Sequence, residues 1–177
     1  MIRGMASSAF STEVDFPELT DDFLRLTRSI GWCTVATVDR KDRPRSRILH
    51  VSWEIGRDAG GDRPIGWVST PRSPVKTAHL AHNPFVSCSY WSPAHDAVFA
   101  DCEASWADDE ASVAHVWDLV STEARERGFD PYAQWPEGAA DPGFQVLRLV
   151  PWRVQITLQD LAHGETIGSS RVWHAQD

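Results

Sequence analysis

The sequence lacks both a surplus of basic residues and any long apolar run. Its 17 lysine and arginine residues are outnumbered by 25 aspartates and glutamates, which gives a formal net charge of −8. Nucleic acids are bound by basic surfaces, so this charge argues against a nucleic-acid partner. No apolar run approaches the length of a membrane span, and the N-terminal residues MIRGMASSAF hold no apolar core of a signal peptide. We therefore expect a soluble cytoplasmic protein with no membrane partner.

Cysteine is also scarce. The three cysteines, Cys33, Cys88 and Cys102, are odd in number and lack the spacing of a metal site. Each lies within an apolar run, so the sequence predicts reduced and buried thiols. Repeats and low-complexity segments are absent, and 177 residues suffice for one domain with a substantial core. We expect a disordered segment over residues 1–12 and a single domain over residues 13–177.

Local patterns predict a mainly β fold with peripheral helices. Helices are predicted over residues 15–30, after the Ser73-Pro74 pair, and after a cap at Asp108. Residues 56–64 and 129–144 are predicted to be loops. Short connections between most strands favour antiparallel pairing, so a barrel is the expected architecture. Strands are predicted over residues 32–38, 44–54, 65–70, 85–91, 97–106, 145–150, 152–158 and 170–174.

Basic side chains are concentrated near the middle of the chain. Period-two alternation places Arg45 and Arg47 on one face of their strand, and Lys76 lies on the next helix. If the helix folds back beside the strand, these cations meet at a site suited to phosphate. Ordinary ion pairs with surface acids are the alternative interpretation. Hydroxyl groups that would lie beside the cations belong to Ser69, Thr70 and Ser73.

Three features of the sequence resemble the pyridoxamine 5′-phosphate oxidase-like superfamily, the FMN-binding split barrels. The first is a helix followed by the strand of residues 31–39, and the second is the arginine-bearing strand of residues 43–54. The third and most specific is the pattern S-T-x-x-S-x-x-K-x-x-x-L-x-x-N-P over residues 69–84. The resemblance covers about residues 19–158. It implies a six-stranded antiparallel split β-barrel that binds FMN at the interface of a homodimer, or a deazaflavin coenzyme in related members.

The resemblance also implies roles for single residues. Arg47 matches the arginine that holds the cofactor phosphate, Arg45 is a neighbour that shares this role, and Lys76 matches a second cationic anchor. Ser69 and Thr70 match the pair that contacts the ribityl phosphate region. The strand beneath the isoalloxazine ring is matched by Ile48, Leu49, His50, Val51 and Ser52. Arg171 matches the arginine of the family's C-terminal run and is a substrate-binding candidate; Trp91 and Trp152 are added as substrate-binding candidates on their aromatic character, not on the resemblance.

Departures from the family pattern fall at positions expected near the substrate or the ring. Ser52 stands where the oxidases have a lysine, and Pro74-Val75 replaces a Ser-Arg pair. Thr157 replaces a tryptophan, and Arg171 alone is kept from an Arg-Leu-His run. The vitamin-forming reaction is therefore not expected.

The resemblance predicts an FMN-dependent oxidoreductase acting on a small organic substrate. No catalytic side chain is assigned, because the cofactor carries the redox chemistry. His50 is a candidate to face the reduced ring, with a hydrogen bond inside the barrel as the alternative. A deazaflavin-dependent reductase on the same fold, a non-catalytic flavin-binding or storage protein, and a structural dimer with an empty cleft are the rival functions.

Histidine and aromatic residues offer further candidates. His79 and His82 lie three positions apart on one helix, as two metal ligands do. No third candidate ligand lies at a sequence spacing typical of a metal site. We therefore interpret the two histidines as solvated or cofactor-flanking side chains and predict no metal site. Candidates for the wall of a substrate pocket, or for burial in the core or a dimer interface, are Trp91, Tyr132, Trp135 and Trp152.

Overall fold

The computed structural model describes residues 11–58, 61–159 and 170–176. The described strands form one nine-stranded sheet, which is antiparallel except where β1 pairs with β9. The strands are β1 (Ser11–Glu13), β2 (Trp32–Val38), β3 (Pro44–His50), β4 (Ser52–Asp58), β5 (Gly61–Ser69), β6 (Phe85–Trp91), β7 (Ala97–Ala107), β8 (Val146–Thr157) and β9 (Ser170–His174). The helices are α1 (Thr20–Ile30), α2 (Pro74–His82), α3 (Glu110–Glu126) and α4 (Pro131–Gln134), with 3-10 turns at Phe16–Glu18 and Gly138–Ala140.

The prediction of a mainly β split barrel with peripheral helices is confirmed, with more strands than the six expected. One path of neighbouring strands runs β1-β9-β8-β7-β6-β2-β3. The β4–β5 hairpin lies off this path and joins it through β8. Strand β8 therefore pairs with β5, β7 and β9, and it holds the two parts of the barrel together.

The main core fills the barrel and is covered by α1. Alternation along the strands supplies the core: in β2, Cys33 and Val35 are buried at alternate positions, whereas the residue between them is not. Helix α1 contributes Phe23, whose ring meets that of Trp53 edge-on at 5.0 Å. The indole nitrogen of Trp53 donates a hydrogen bond of 2.8 Å to the hydroxyl of Tyr90, so the polar groups of this core are paired.

All three cysteines are free and buried, as the sequence predicts. The contact with Cys88, together with burial, raises the pKa of the Cys33 thiol. No helix in the described part of the chain has both the length and the apolar character needed to cross a membrane.

A second, smaller core lies between the barrel and α3. Its buried members are Trp67, Val116, Trp135, Phe144 and Val146. Two of them come from residues 129–144, which were predicted to be a loop but contain α4 and a 3-10 turn. These aromatic residues pack the segment onto α3, and this tertiary contact explains why its proline and glycine residues do not leave it irregular.

The cap of α3 was assigned to the wrong aspartate. The side chain of Asp109 accepts the Ser112 amide at 2.8 Å and caps the helix. Asp108 instead pairs with Arg72. Both aspartates precede the helical pattern, so the sequence does not distinguish them, and only the backbone geometry shows which one is the cap.

Several predicted boundaries need correction. The single strand predicted over residues 44–54 is two strands separated at Val51, because β3 pairs with β2 whereas β4 pairs with β5. The loop predicted over residues 56–64 is largely occupied by the β4–β5 hairpin, whose residues 59–60 lie outside the described ranges. The two strands predicted near residue 151 are one strand, β8.

The start of the first helix and the residues before it also differ from expectation. The helix predicted over residues 15–30 begins at Thr20, after the 3-10 turn that contains Pro17. Of the predicted disordered segment, residues 1–10 lie outside the described ranges, whereas Ser11 and Thr12 belong to β1.

Candidate anion-binding site

The end of β5 and the start of α2 bring Lys76 and Thr70 together. Ser73 caps α2 by accepting the Lys76 amide at 3.3 Å, and Pro74 occupies the first turn, as the sequence predicts. The Lys76 ammonium donates to the Thr70 hydroxyl and, over 3.1 Å, to the Pro71 carbonyl. Lys76 is only 7% exposed, and burial together with the nearby Arg47 charge lowers its pKa to about 8.

Arg47 reaches the same region from β3. Its Nη1 donates a hydrogen bond of 2.8 Å to the hydroxyl of Thr37 on the neighbouring strand. Arg45 lies two positions earlier, opposite Thr37 in the strand register, and is exposed. The structure therefore brings Arg47 and Lys76 together, while Arg45 lies at the open side of the site.

No acidic side chain among the described residues neutralises the two partly buried cations. Among residues 11–58, 61–159 and 170–176, neither Arg47 nor Lys76 forms an ion pair with a carboxylate. Asp39, which follows β2, is already occupied, because it accepts from the side chain and backbone of Arg43 and holds the β2–β3 turn. Contact with Arg43 keeps the pKa of Asp39 below its usual range. Two close cations without a counter-charge form a site suited to an anion.

The hydroxyl residues predicted beside the cations differ in their accessibility. Thr70 is 4% exposed and bonded to Lys76. Ser69, at the end of β5, is half-buried, and Ser73 is exposed. The helix α2 begins next to them, and the positive end of its dipole favours an anion there, whereas Pro74 has no amide hydrogen and the amides of Lys76 and Thr77 are bonded to Ser73.

In the segment predicted to underlie a flavin ring, the exposure of the side chains changes sharply within a few residues. Ile48 is 64% exposed and lies on the outer side of β3, whereas Leu49 packs against the core. Val51 and Ser52 are 3% and 1% exposed, and the Ser52 hydroxyl donates to Glu123 of α3. The side chains of Val51 and Ser52 are thus enclosed by protein.

His50 is the last residue of β3 and lies next to α3. Its Nδ1 is 3.9 Å from a carboxylate oxygen of Glu123, and its ring meets that of Trp32 edge-on. Burial and the charge of Arg127 lower the pKa of His50 to about 4. The imidazole is neutral at pH 7, so it is equipped for hydrogen bonding rather than for supplying positive charge.

The three substrate-binding candidates do not converge. Arg171 on β9 donates to Asp22 and to the Glu18 carbonyl, which fastens β9 to the start of α1. Trp91 ends β6 and is 61% exposed, beside His95. Trp152 is the extra residue of β8 at the register shift, between Pro151 and Arg153, and is 44% exposed.

Trp152 borders a shallow depression on the outer side of the sheet. The depression has a volume of about 210 Å³, and its lining includes Ala36, Val38, Pro44 and Phe85. A larger depression of about 730 Å³ is lined by residues of β1, the first 3-10 turn and the end of β9. The lining of the larger depression includes none of the predicted cations Arg45, Arg47 and Lys76. The larger depression and the cation cluster therefore lie on different parts of the surface.

The two histidines of α2 have separate environments. His79 is 6% exposed, and its Nδ1 lies 3.0 Å from the Thr37 hydroxyl. His82 lies 3.3 Å from Asp42 at the surface. No group of three or more His, Cys, Asp or Glu side chains in the described ranges is arranged to hold a metal ion.

Thr37 was missed by sequence reasoning. Its only signal is that alternation places a polar residue on the core-facing side of β2, in line with Cys33 and Val35. Threonine is common in strands, and that signal alone does not indicate a site.

Solved structures share this fold. A protein from Clostridium acetobutylicum, related to general stress protein 26 and described as of the pyridoxinephosphate oxidase family, is 16% identical, covers 82% of this chain and 92% of its own, and superposes with a TM-score of 0.63. A pyridoxamine 5′-phosphate oxidase-related, FMN-binding protein from Nostoc punctiforme is 15% identical over 93% of each chain, with a TM-score of 0.61. At these identities the similarity shows the fold alone. Comparison with curated proteins gives no match.

A family model also matches the chain. A sequence model described as pyridoxamine 5′-phosphate oxidase matches residues 19–158, which run from the start of α1 to the end of β8 and include both Arg47 and Lys76. The chain therefore belongs to the pyridoxamine 5′-phosphate oxidase family.

Proposed function

We propose that this protein binds FMN through its phosphate at Arg47 and Lys76 and acts as a flavin-dependent oxidoreductase on a small organic substrate. The observation that carries the proposal is the pairing of two partly buried cations without a carboxylate partner in the described residues. A phosphate monoester brings nearly two negative charges and three acceptor oxygens, which match these donors.

The residues present fit the phosphate of such a cofactor. The cations, the Thr70 hydroxyl and the start of α2 lie around one place in the structure. Bound FMN would supply hydride or electron transfer, and the described side chains would supply binding and orientation. The family match and the FMN-binding protein from Nostoc punctiforme support this choice of ligand.

A homodimer is part of the proposal. We define the outer face as the solvent side of β3, β2 and β6, which bears Ile48, Trp32 and Trp91. These three side chains are 64%, 60% and 61% exposed, and the strand register places them on the same side of the sheet. Contiguous exposed aromatic and aliphatic groups are typical of an interface. A second copy that covers this face would lie against β3, the strand whose opposite side carries Arg47.

The deciding experiment is the visible spectrum of the purified protein, followed by mass analysis of any released small molecule. FMN and a deazaflavin have different absorption maxima, so the spectrum separates the two cofactors. A protein that binds FMN but gives no turnover with reduced pyridine nucleotides or artificial acceptors would be a binding or storage protein. A protein that stays colourless and does not take up added FMN would contradict the proposal.

A further inference from the structure

Thr37 is a buried polar junction between two strands and a helix. Its side chain is 5% exposed on the core-facing side of β2. The hydroxyl oxygen lies 2.8 Å from Nη1 of Arg47, 3.0 Å from Nδ1 of His79 and 3.4 Å from the carbonyl oxygen of Arg45. One hydroxyl thus connects the arginine of the anion site to helix α2.

The Thr37 hydroxyl can make all three contacts at once. A guanidinium only donates, so the Thr37 oxygen accepts from Arg47. A hydroxyl has one hydrogen and two acceptor lone pairs, and its hydrogen is directed to the Arg45 carbonyl or to His79. In the first case Nδ1–H of His79 donates to the second lone pair, and in the second case Nδ1 accepts, so His79 is bonded to Thr37 in either tautomer.

The junction is tied to the second cation through α2. His79 and Lys76 are three positions apart on this helix, so they lie on neighbouring turns of one face. Lys76 is held by Thr70 and the Pro71 carbonyl. Arg47 is held by Thr37, and Thr37 by His79. Both cations are therefore fixed relative to the same helix.

Fixing Arg47 in advance has an energetic consequence. A free arginine side chain loses rotamer entropy when it is ordered. An arginine that is already oriented beside Lys76 loses less on binding, which strengthens the binding of an anion.

We infer that Thr37 and His79 are positioning residues of the anion site, and that they hold the Arg47 guanidinium toward Lys76 before the ligand arrives. The inference rests on the proposed function, because it concerns the same phosphate site. It adds two residues, neither of which would touch the ligand.

The test compares variants that keep or remove one atom of the junction. Thr37→Val removes the hydroxyl at nearly constant volume, whereas Thr37→Ser keeps it. We measure binding of FMN and of inorganic phosphate by calorimetry, and the folded state by circular dichroism. Loss of one oriented contact is worth about 1.4 kcal/mol, so Thr37→Val should weaken binding about tenfold. Thr37→Ser should bind within about threefold of wild type.

His79 offers a second pair, which is useful if Thr37→Val does not fold. The side-chain amide of asparagine reaches about as far as Nδ1 of histidine, and that of glutamine about as far as Nε2. His79→Asn should therefore retain more affinity than His79→Gln.

A double-mutant cycle separates positioning from general destabilisation. In an Arg47→Ala background, Thr37→Val should cause no further loss of affinity, since the arginine that it positions is gone. An equal further loss in that background would overturn the inference, as would a Thr37→Val variant that binds as tightly as wild type. If wild-type protein binds neither FMN nor phosphate, the proposed function fails and the inference fails with it.

Discussion

Arg47 lies close enough to Lys76 for its charge to lower the pKa of the lysine. Each of the two cations is bonded to a neutral threonine rather than to an acid, Arg47 to Thr37 and Lys76 to Thr70. Like charges held together in a partly buried site destabilise the empty protein and are relieved by an anion. The predictions on binding and stability follow from this arrangement.

Removing both cations should abolish phosphate-dependent binding. Each charge-assisted contact contributes about 1.5–3 kcal/mol, so Arg47→Ala with Lys76→Ala should weaken FMN affinity by several hundredfold or more. Calorimetry or fluorescence titration with FMN measures the change. Lys41→Ala is the matched control, because it removes an exposed cation from the nearby turn. Unchanged affinity in the double variant would exclude this site.

Lys76→Met should stabilise the unliganded protein. The folded pKa of Lys76, about 8, lies below its ordinary value of 10.5, so charging the buried amine opposes folding at neutral pH. This cost is complete below pH 8 and disappears as the pH rises toward 10.5. The variant should gain about 1–3 kcal/mol at pH 7. Chemical denaturation at pH 7 and pH 10 measures it, and a gain that is no larger at pH 7 than at pH 10 would contradict the assignment.

His50 should make the protein sensitive to acid. Its pKa falls from 6.5 unfolded to about 4 folded, so the unfolded chain binds the proton first and stability is lost as the pH drops from 6.5 toward 4. His50→Gln should reduce this loss by about 2 kcal/mol. Urea unfolding at several pH values provides the measurement, with surface-exposed His82→Gln as the control. Parallel curves for wild type and His50→Gln would show that His50 does not titrate in this way.

The outer face should control association. Ile48→Asp places a charge among exposed apolar groups, and a dimer that buries this face should dissociate because an unpaired charge would be desolvated. Sedimentation velocity reports the change in mass. Phe129→Asp is the control, since Phe129 is 66% exposed and follows α3, outside the outer face. A dimer that survives Ile48→Asp would place the interface elsewhere.

Local signals predicted much of the fold. Strands β2, β6 and β9 have the predicted bounds, and Ser73-Pro74 begins α2 as expected, because alternation and capping act within a few residues. The break at Val51 was not predictable, since β3 and β4 are both extended and differ only in their distant partners. The burial of Ser52 by Glu123 depends on a contact across 71 positions of sequence, which no local pattern encodes.

For the candidate site, the motif of residues 69–84 led to Lys76 and Thr70, and the arginine strand led to Arg47. The proposed partners of Arg47 come from elements separated in sequence. Thr37 is on β2 and His79 on α2, and only the folded chain shows that they meet.

The position of β8 has a consequence for how the chain is made. Strand β5 ends at Ser69, yet its partner β8 begins at Val146, and β7 and β9 also depend on that strand. During synthesis from the N-terminus, the β4–β5 hairpin therefore lacks its partner until β8 has left the ribosome. Pairings between distant segments fold slowly and leave strand edges open in the meantime. Closure of the barrel should therefore follow the emergence of β8.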